Sequence, residues 1–366
     1  MTRAQLSVLM TADAVGGVWS YALGLCAALP DVHFTLATLG PRPKPAQRAA
    51  LARLANVTLA ESDFPLEWMP GSQTDIAASH RWLEALARRH AVDVVDVNGY
   101  AQARLDCACP RIVVAHSDVL SWWLSVHGAA APAEWQDYRQ QVIRGLRVAD
   151  RVVVPTRAVL SNLRQQYGLP LANALVIPNG IDVEPFAPHP KQPVIMAAGR
   201  IWDAAKNLAL LDDIAPGLEW PIEIAGATAH PAGGVAHLCN ARLLGVLDPE
   251  KMRRRLGEAA IFAAPARYEP FGLGILEAAA AGCALVLGDI ASLRENWDGA
   301  AIFVPAEDRE QWRSALRRLI ADRAERERLG AAAQARARDF TLARCAAHYR
   351  ALYHELIGAS AEQKVA

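Results

Sequence analysis

Arg267-Tyr268-Glu269-Pro270-Phe271-Gly272-Leu273-Gly274-Ile275-Leu276-Glu277 decides the fold. An apolar run from Ala260 to Ala264 precedes it, and an alanine-rich run from Ala278 to Ala281 follows and stops at Gly282. That order predicts a buried strand, a tight glycine-bearing turn and a helix. Such a junction is an anion site, because the first N–H groups of a helix lack intrahelical acceptors and carry the positive end of its dipole. Glu269 sits in the turn and Glu277 about one and a half turns into the helix, so they do not share a helix face. The two carboxylates read as anchors for two hydroxyl-bearing parts of one ligand with phosphate between them. That is the layout of a nucleotide-sugar.

Outward from this turn, short apolar runs alternate with helical stretches. They include Leu6–Met10, Val92–Val97, Ile112–Ala115, Val152–Pro155, Val194–Ala198, Ile222–Ala225, Ile261–Ala264, Ala284–Leu287 and Ala301–Val304. Continuous apolar runs suit parallel strands covered by helices on both faces, which sets the class as α/β. Ligands of such sheets lie beyond the carboxyl ends of the strands, at a topological switch point. Four prolines between Glu184 and Pro193 mark a boundary, with a second strand–helix series from Val194. The predicted domains are 1–184, joined by a C-terminal helix at about 342–366, and 185–341. The last helix reads from about Leu342 to Ile357, with a frayed end from Gly358.

The chain has 366 residues, 52% hydrophobic and 21% charged, with zero formal net charge. Two globular domains fit that length, and the charge balance gives no drive toward nucleic acid. No apolar run reaches the roughly 18–20 residues of a membrane span. Six scattered cysteines without a secretion signal read as reduced thiols of a cytoplasmic protein. Cys107-Ala108-Cys109 lacks a second Cys/His pair, so no metal site is expected there.

Several pieces are ambiguous alone. Gly16-Gly17, after the first strand and before a helix expected from about Ser20, suits either a tight turn or close approach to a ligand. The dinucleotide fingerprint Gly-x-Gly-x-x-Gly is absent, which counts against a nicotinamide or flavin enzyme. Arg200 and Lys206 share one loop after a strand and have the charge to neutralise a diphosphate; the plainer reading is a solvated pair. His116 lies just past a strand, as a structural histidine or as one reaching a cleft. Trp122 and Trp123, with Trp135 and Tyr138 nearby, suit either core packing or stacking on an acceptor. Lys251, Arg253, Arg254 and Arg255 read as a solvated helix face. Arg42, Lys44, Arg48 and Arg53 flank the amphipathic stretch Ala46–Leu54, a candidate for weak peripheral membrane contact at the inner face. No Asp-x-Asp triplet is present to hold a divalent ion on a diphosphate.

Together these pieces resemble the GT-B glycosyltransferases, specifically glycosyltransferase family 4. The residues carrying the likeness are Gly16-Gly17, Val176-Ile177-Pro178-Asn179-Gly180-Ile181-Asp182, Gly199-Arg200 with Lys206-Asn207, and Glu269-Pro270-Phe271-Gly272-Leu273 with Glu277. The last set matches that family's E-x7-E signature. Asp339-Phe340-Thr341 followed by Tyr349 and Tyr353 looks like its closing helix, which returns to the first domain. The resemblance implies two Rossmann-like domains facing across a cleft and a retaining, metal-independent transfer from a nucleotide-sugar, without cofactor. By that match Glu269 binds donor-sugar hydroxyls and Glu277 the ribose, while Phe271, Gly272 and Leu273 offer N–H groups to phosphate. Arg200 and Lys206 stabilise the leaving diphosphate, His116 lies near the donor sugar, and Gly16-Gly17 flank phosphate or acceptor. A front-face substitution follows from the family likeness, since no carboxylate is placed as nucleophile.

The chain departs from the family pattern at Trp202, at Ala291-Ser292 where a glycine pair is usual, and in the tryptophan-rich stretch after Asp118. Two other readings stand beside the hexosyltransferase: an epimerase-like enzyme of the same architecture, and a silent nucleotide-sugar-binding scaffold. Base, sugar, acceptor, linkage and oligomeric state are not encoded in residue types.

Overall fold

The computed structural model describes residues 5–69, 72–186, 189–230 and 233–365. The chain forms two compact units. The first comprises the residues up to Ser121, Ala130–Asn179 and the segment from Leu342 onward; the second comprises Trp122–Ala129 and Gly180–Thr341.

The first unit holds seven strands: β1 (Leu6–Asp13), β2 (Val32–Leu39), β3 (Val57–Glu61), β4 (Val94–Val97), β5 (Arg111–Val114), β6 (Arg151–Val154) and β7 (Ala174–Val176). Their spatial order is β3-β2-β1-β4-β5-β6-β7, and every pairing is parallel. Successive strand residues feed opposite cores. Val8, Met10, Phe34 and Leu36 pack on one face, while Leu9, Ala37, Val95 and Val97 pack on the other. Burial on both faces is why these strands read as continuous apolar runs.

The second unit repeats the scheme with β8 (Gln192–Ala198), β9 (Ile222–Ala225), β10 (Arg242–Gly245), β11 (Ala259–Ala264), β12 (Ala284–Gly288) and β13 (Ala301–Val304). The order is β10-β9-β8-β11-β12-β13, again all parallel. Met196, Phe262 and Leu285 face one core; Ile195, Ile261 and Val286 face the other. In each sheet the chain order reverses beside the first strand, between β1 and β4 and between β8 and β11. Those are the positions where open α/β sheets take ligands.

Within the predicted linker, Phe186 is buried in the core of the second unit, and Ile181 forms a parallel bridge with Thr341. Ala187 and Pro188 lie outside the described residues. The last helix runs Leu342–Val365, past the fraying expected from Gly358. Its Cys345, Ala346, Tyr349, Leu352, Tyr353 and Leu356 belong to the core of the first unit. There the Tyr353 hydroxyl donates to Asp96 Oδ2 at 2.6 Å. Burial raises Asp96 to about 7, against that hydrogen bond.

Candidate active site

In the second unit, the loops leaving β8 and β11 are tied by their backbones. Arg267 N–H donates to Ala205 O at 2.8 Å, and Lys206 N–H to Asp203 O at 2.9 Å. This brings the Lys206 ammonium to Glu269, Nζ to Oε2 at 2.5 Å, with both side chains about one-fifth exposed. Lysine and glutamate, 63 positions apart in sequence, thus form one cluster at the strand ends.

Arg200 is oriented from several directions. Its Nη2 and Nε donate to Asp203 Oδ2 at 2.6 and 3.2 Å, and its Cζ lies 5.4 Å from the Trp202 ring centroid. Trp202 is itself braced edge-on by His230 at 4.5 Å. The unexpected tryptophan of this loop therefore has a packing role beside the arginine. Asp203 is buried, and its other oxygen accepts Ala205 N–H at 3.0 Å and Trp122 Nε1–H at 3.2 Å. Burial pushes the Asp203 carboxyl up, but the Arg200 charge and hydrogen bond, Ala205 N–H and the Lys206 charge outweigh it and hold it below the ordinary range. Asp203 was not singled out in the sequence, because an aspartate three residues from an arginine reads as an ordinary surface pair.

The predicted helix begins at Leu273 and ends at Ala280. Gly272 precedes it with φ +90°, and a Cβ there would meet Ile275 Cδ1 at 2.9 Å. No side chain caps this N-terminus, so the cap residue supplies no acceptor to its first N–H groups. The Phe271 ring is buried against Phe340, centroids 5.5 Å apart, which leaves its backbone as the part able to meet a ligand. The turn is held from behind: Ser292 Oγ donates to Glu269 O at 2.6 Å, and Asn296 Nδ2 to Phe271 O at 3.3 Å. Ser292, one of the departures from the family pattern, thus supplies a hydroxyl anchor. Burial raises Glu277 to about 7, with the Arg253 charge opposing.

In the first unit the strand ends carry a second polar group. Gly16 has φ +92° and precedes a helix that starts at Gly17, three residues before the expected Ser20. Asn98, just past β4, donates its Nδ2 to Thr11 O at 2.6 Å. Its Oδ1 must therefore accept, and it lies 2.7 Å from His116 Nε2. The proton of a neutral His116 accordingly sits on Nε2, leaving Nδ1 as an acceptor. Burial lowers the imidazole to about 4, and the Tyr21 ring packs edge-on at 4.6 Å. Glu67, missed from sequence, takes Tyr100 N–H at 3.0 Å and Ala101 N–H at 2.5 Å and is raised to about 7 by burial, against those donors.

Trp122 and Trp123 form an aromatic group with His127, whose centroid is 4.4 Å from that of Trp123. Around the stretch read as a membrane candidate, the helix Pro45–Leu51 turns Leu51 into the core. Arg42 and Arg48 pair with Asp63 and Glu61 of the same unit. Among the described residues no helix is long and apolar enough to cross a membrane.

Residues 15–185 match the family described as Glycosyltransferase Family 4, and residues 192–322 match Glycosyl transferases group 1. The chain is 29% identical over 305 residues to D-inositol 3-phosphate glycosyltransferase of Xylanimonas cellulosilytica, covering 73% of this chain and 68% of that protein. It is 27% identical to alpha-maltose-1-phosphate synthase of Mycobacterium tuberculosis, with 87% of each chain covered. Among solved structures, sucrose-phosphate synthase from Thermosynechococcus elongatus superposes with a TM-score of 0.79 at 18% identity, over 97% of this chain and all of the other. HepE of Anabaena, in complex with UDP and glucose, superposes with a TM-score of 0.75 at 14% identity, over 96% of this chain and all of that one. These matches favour neither the epimerase-like nor the silent-scaffold reading. With the E-x7-E turn, the cationic loop and two sheets of Rossmann order, they identify the chain as a GT-B glycosyltransferase of family 4.

Proposed function

We propose that the enzyme moves a hexosyl group from a nucleotide-sugar to a hydroxyl-bearing acceptor, with retention of configuration and without a metal ion. The observation that carries this reading is the Lys206–Glu269 pair, set beside Arg200 and an uncapped helix N-terminus in one unit. Those groups match the parts of a nucleotide-sugar: cations and N–H groups for the diphosphate, Glu269 for sugar hydroxyls and Glu277 for the ribose.

In the proposed step, the bond between the anomeric carbon and the diphosphate oxygen breaks. The acceptor oxygen bonds the same face of that carbon, and its proton passes to the departing phosphate oxygen. Arg200 and Lys206 stabilise the negative charge that grows on the leaving group, a contribution that preorganised donors make most strongly away from water. Asp203 and the Trp202 ring keep Arg200 in place beforehand. Glu269 exchanges part of its contact with Lys206 for sugar hydroxyls and so links sugar recognition to the catalytic cation. His116 is assigned to the donor sugar by family resemblance, and its neutral form offers Nδ1 to a hydroxyl. Trp123 is retained as an acceptor contact. Trp122, whose N–H is engaged by Asp203, fits a positioning role better than stacking.

Arg200, Lys206 and the helix N-terminus provide the counter-charge for metal-free departure.

A thermal-shift panel of uridine, adenosine and guanosine diphosphate sugars tests the donor assignment. A ligand at 100 times its Kd adds about 2.7 kcal/mol of stability, which moves the melting temperature well outside scatter. Turnover of the stabilising donor should then survive EDTA. A flat panel would reject the nucleotide-sugar, and activity lost to EDTA and restored by magnesium would reject the metal-free step.

A further inference from the structure

Cys107 and Cys109 have no part in the site described above. They precede Arg111, the first residue of β5, and so lie at the amino end of that strand, away from His116 beyond its carboxyl end. Cys26, Cys283 and Cys345 are buried, Cys239 is exposed, and Cys107 and Cys109 are half-buried. The two sulfurs have defined surroundings. Cys109 N–H donates to Cys107 Sγ at 3.2 Å, and the Cys109 thiol donates to Val92 O at 3.0 Å. Arg111 Nη2 donates to the Cys107 carbonyl at 2.7 Å, which keeps a guanidinium beside the pair. A backbone N–H and a cation near one sulfur both favour its anion.

We propose that Cys107 and Cys109 form a modification site for hydroperoxides, with Cys107 as nucleophile and Cys109 as the resolving thiol. In the first step the Cys107 thiolate attacks the terminal peroxide oxygen. An S–O bond forms, the O–O bond breaks, and the alkoxide or hydroxide leaves and takes a proton from water. Sulfur is oxidised by two electrons to a sulfenic acid, and the peroxide is reduced. In the second step the Cys109 sulfur attacks the Cys107 sulfur. An S–S bond forms, the S–O bond breaks, and water leaves with the Cys109 proton. The Cys107 thiol is lowered to about 6 by its contact with the Cys109 side chain, against burial, with Cys109 N–H and Arg111 adding to the effect and Asp106 opposing it. That raises the thiolate share of Cys107 at neutral pH above the few per cent of an ordinary thiol.

The internal control is Cys239, exposed and 130 positions away. Alkylation of the native chain with iodoacetamide, followed site by site from pH 5 to pH 10, tests the nucleophile. A low thiol pKa raises the thiolate fraction but weakens its intrinsic attack, so the net advantage near pH 6.5 is about three- to tenfold. The Cys107 rate should level off above about pH 7. Stoichiometric hydrogen peroxide should then remove both loop thiols and leave a peptide with a Cys107–Cys109 disulfide, reversible by dithiothreitol. Cys109→Ser, which keeps the backbone donor, should instead give a dimedone adduct at Cys107. A Cys107 rate that keeps rising beyond pH 8 would overturn the nucleophile assignment. Peroxide-treated chain with both thiols intact would overturn the site, and Cys107 sulfinic acid beside an unmodified Cys109 would overturn the resolving role.

Discussion

Glu277 holds its carboxyl near 7 because burial disfavours the anion and only the Arg253 charge opposes it. A ribose bound there would donate hydroxyl hydrogen bonds to the ionised form and draw the pKa down. Donor affinity should therefore rise with pH through about 7, by up to about tenfold per unit below it. A nucleotide-sugar is the right probe, since its diphosphate has no group titrating in that window. Calorimetric titration at pH 6 and pH 8 measures this, and Glu277→Gln should bind more weakly and lose the slope. Equal affinity at both pH values in the unsubstituted enzyme would remove Glu277 from the ribose site. Trp122 gives a second test. Trp122→Phe keeps a ring but removes the N–H that Asp203 accepts. One such hydrogen bond is worth about 1 kcal/mol, hence about a fivefold lower kcat if Arg200 loses alignment in the transition state. An unchanged kcat would reject the positioning role.

At the scale of elements, the loops after β8 and β9 touch where neither carries a side chain. A Cβ on Gly226 would lie 1.7 Å from Gly199 O, a backbone atom that cannot swing aside. Gly226→Ala should therefore cost about 3 kcal/mol or more, lowering the melting temperature by about 6–12 °C. Gly274→Ala is the control, since nothing lies within 4 Å of its added Cβ and alanine favours a helix. Equal melting of the two variants would refute the close approach. The Glu269–Glu277 turn and the Arg200–Lys206 loop were legible in sequence because charged residues directly follow apolar runs there. Each of the nine named apolar runs overlaps a strand. Four strands were not among them: β7 has three residues, β3 and β10 mix polar residues, and β2 is interrupted by His33, Thr35 and Thr38. What stayed hidden was every partner chosen by tertiary structure. Ser292 reaches Glu269 across 23 positions and Asn98 reaches Thr11 across 87, and no local pattern records such pairs.

For the whole molecule, the same strand order appears in both units, and each places its polar cluster beside the reversal of that order. The family likeness anticipated the return of the last helix to the first unit; it did not anticipate the carboxylate that helix meets. Asp96 is fully buried, with Oδ1 lacking a partner among the described residues and Oδ2 held by Tyr353. Its raised pKa means that the folded state favours the protonated acid. That preference stabilises fully below the unfolded value of about 3.9 and is lost as pH rises through about 7. The Tyr353 hydroxyl offsets part of this loss by binding the anion. Tyr353→Phe should destabilise by about 1–3 kcal/mol, more at pH 8 than at pH 5. Urea melts at both values measure this, and an equal loss would show that the hydroxyl does not act on the carboxylate.

The return of that helix also sets a timetable. As the chain leaves the ribosome, the second unit has all its residues once Thr341 emerges, whereas the first unit still lacks Tyr349, Tyr353 and Leu356 from its core. The half that is translated first is thus the half that finishes last. Until the final helix arrives, the apolar side chains of the Gly17–Ala28 helix that it packs against lack that cover, the kind of transient exposure that makes a partly made chain prone to aggregation.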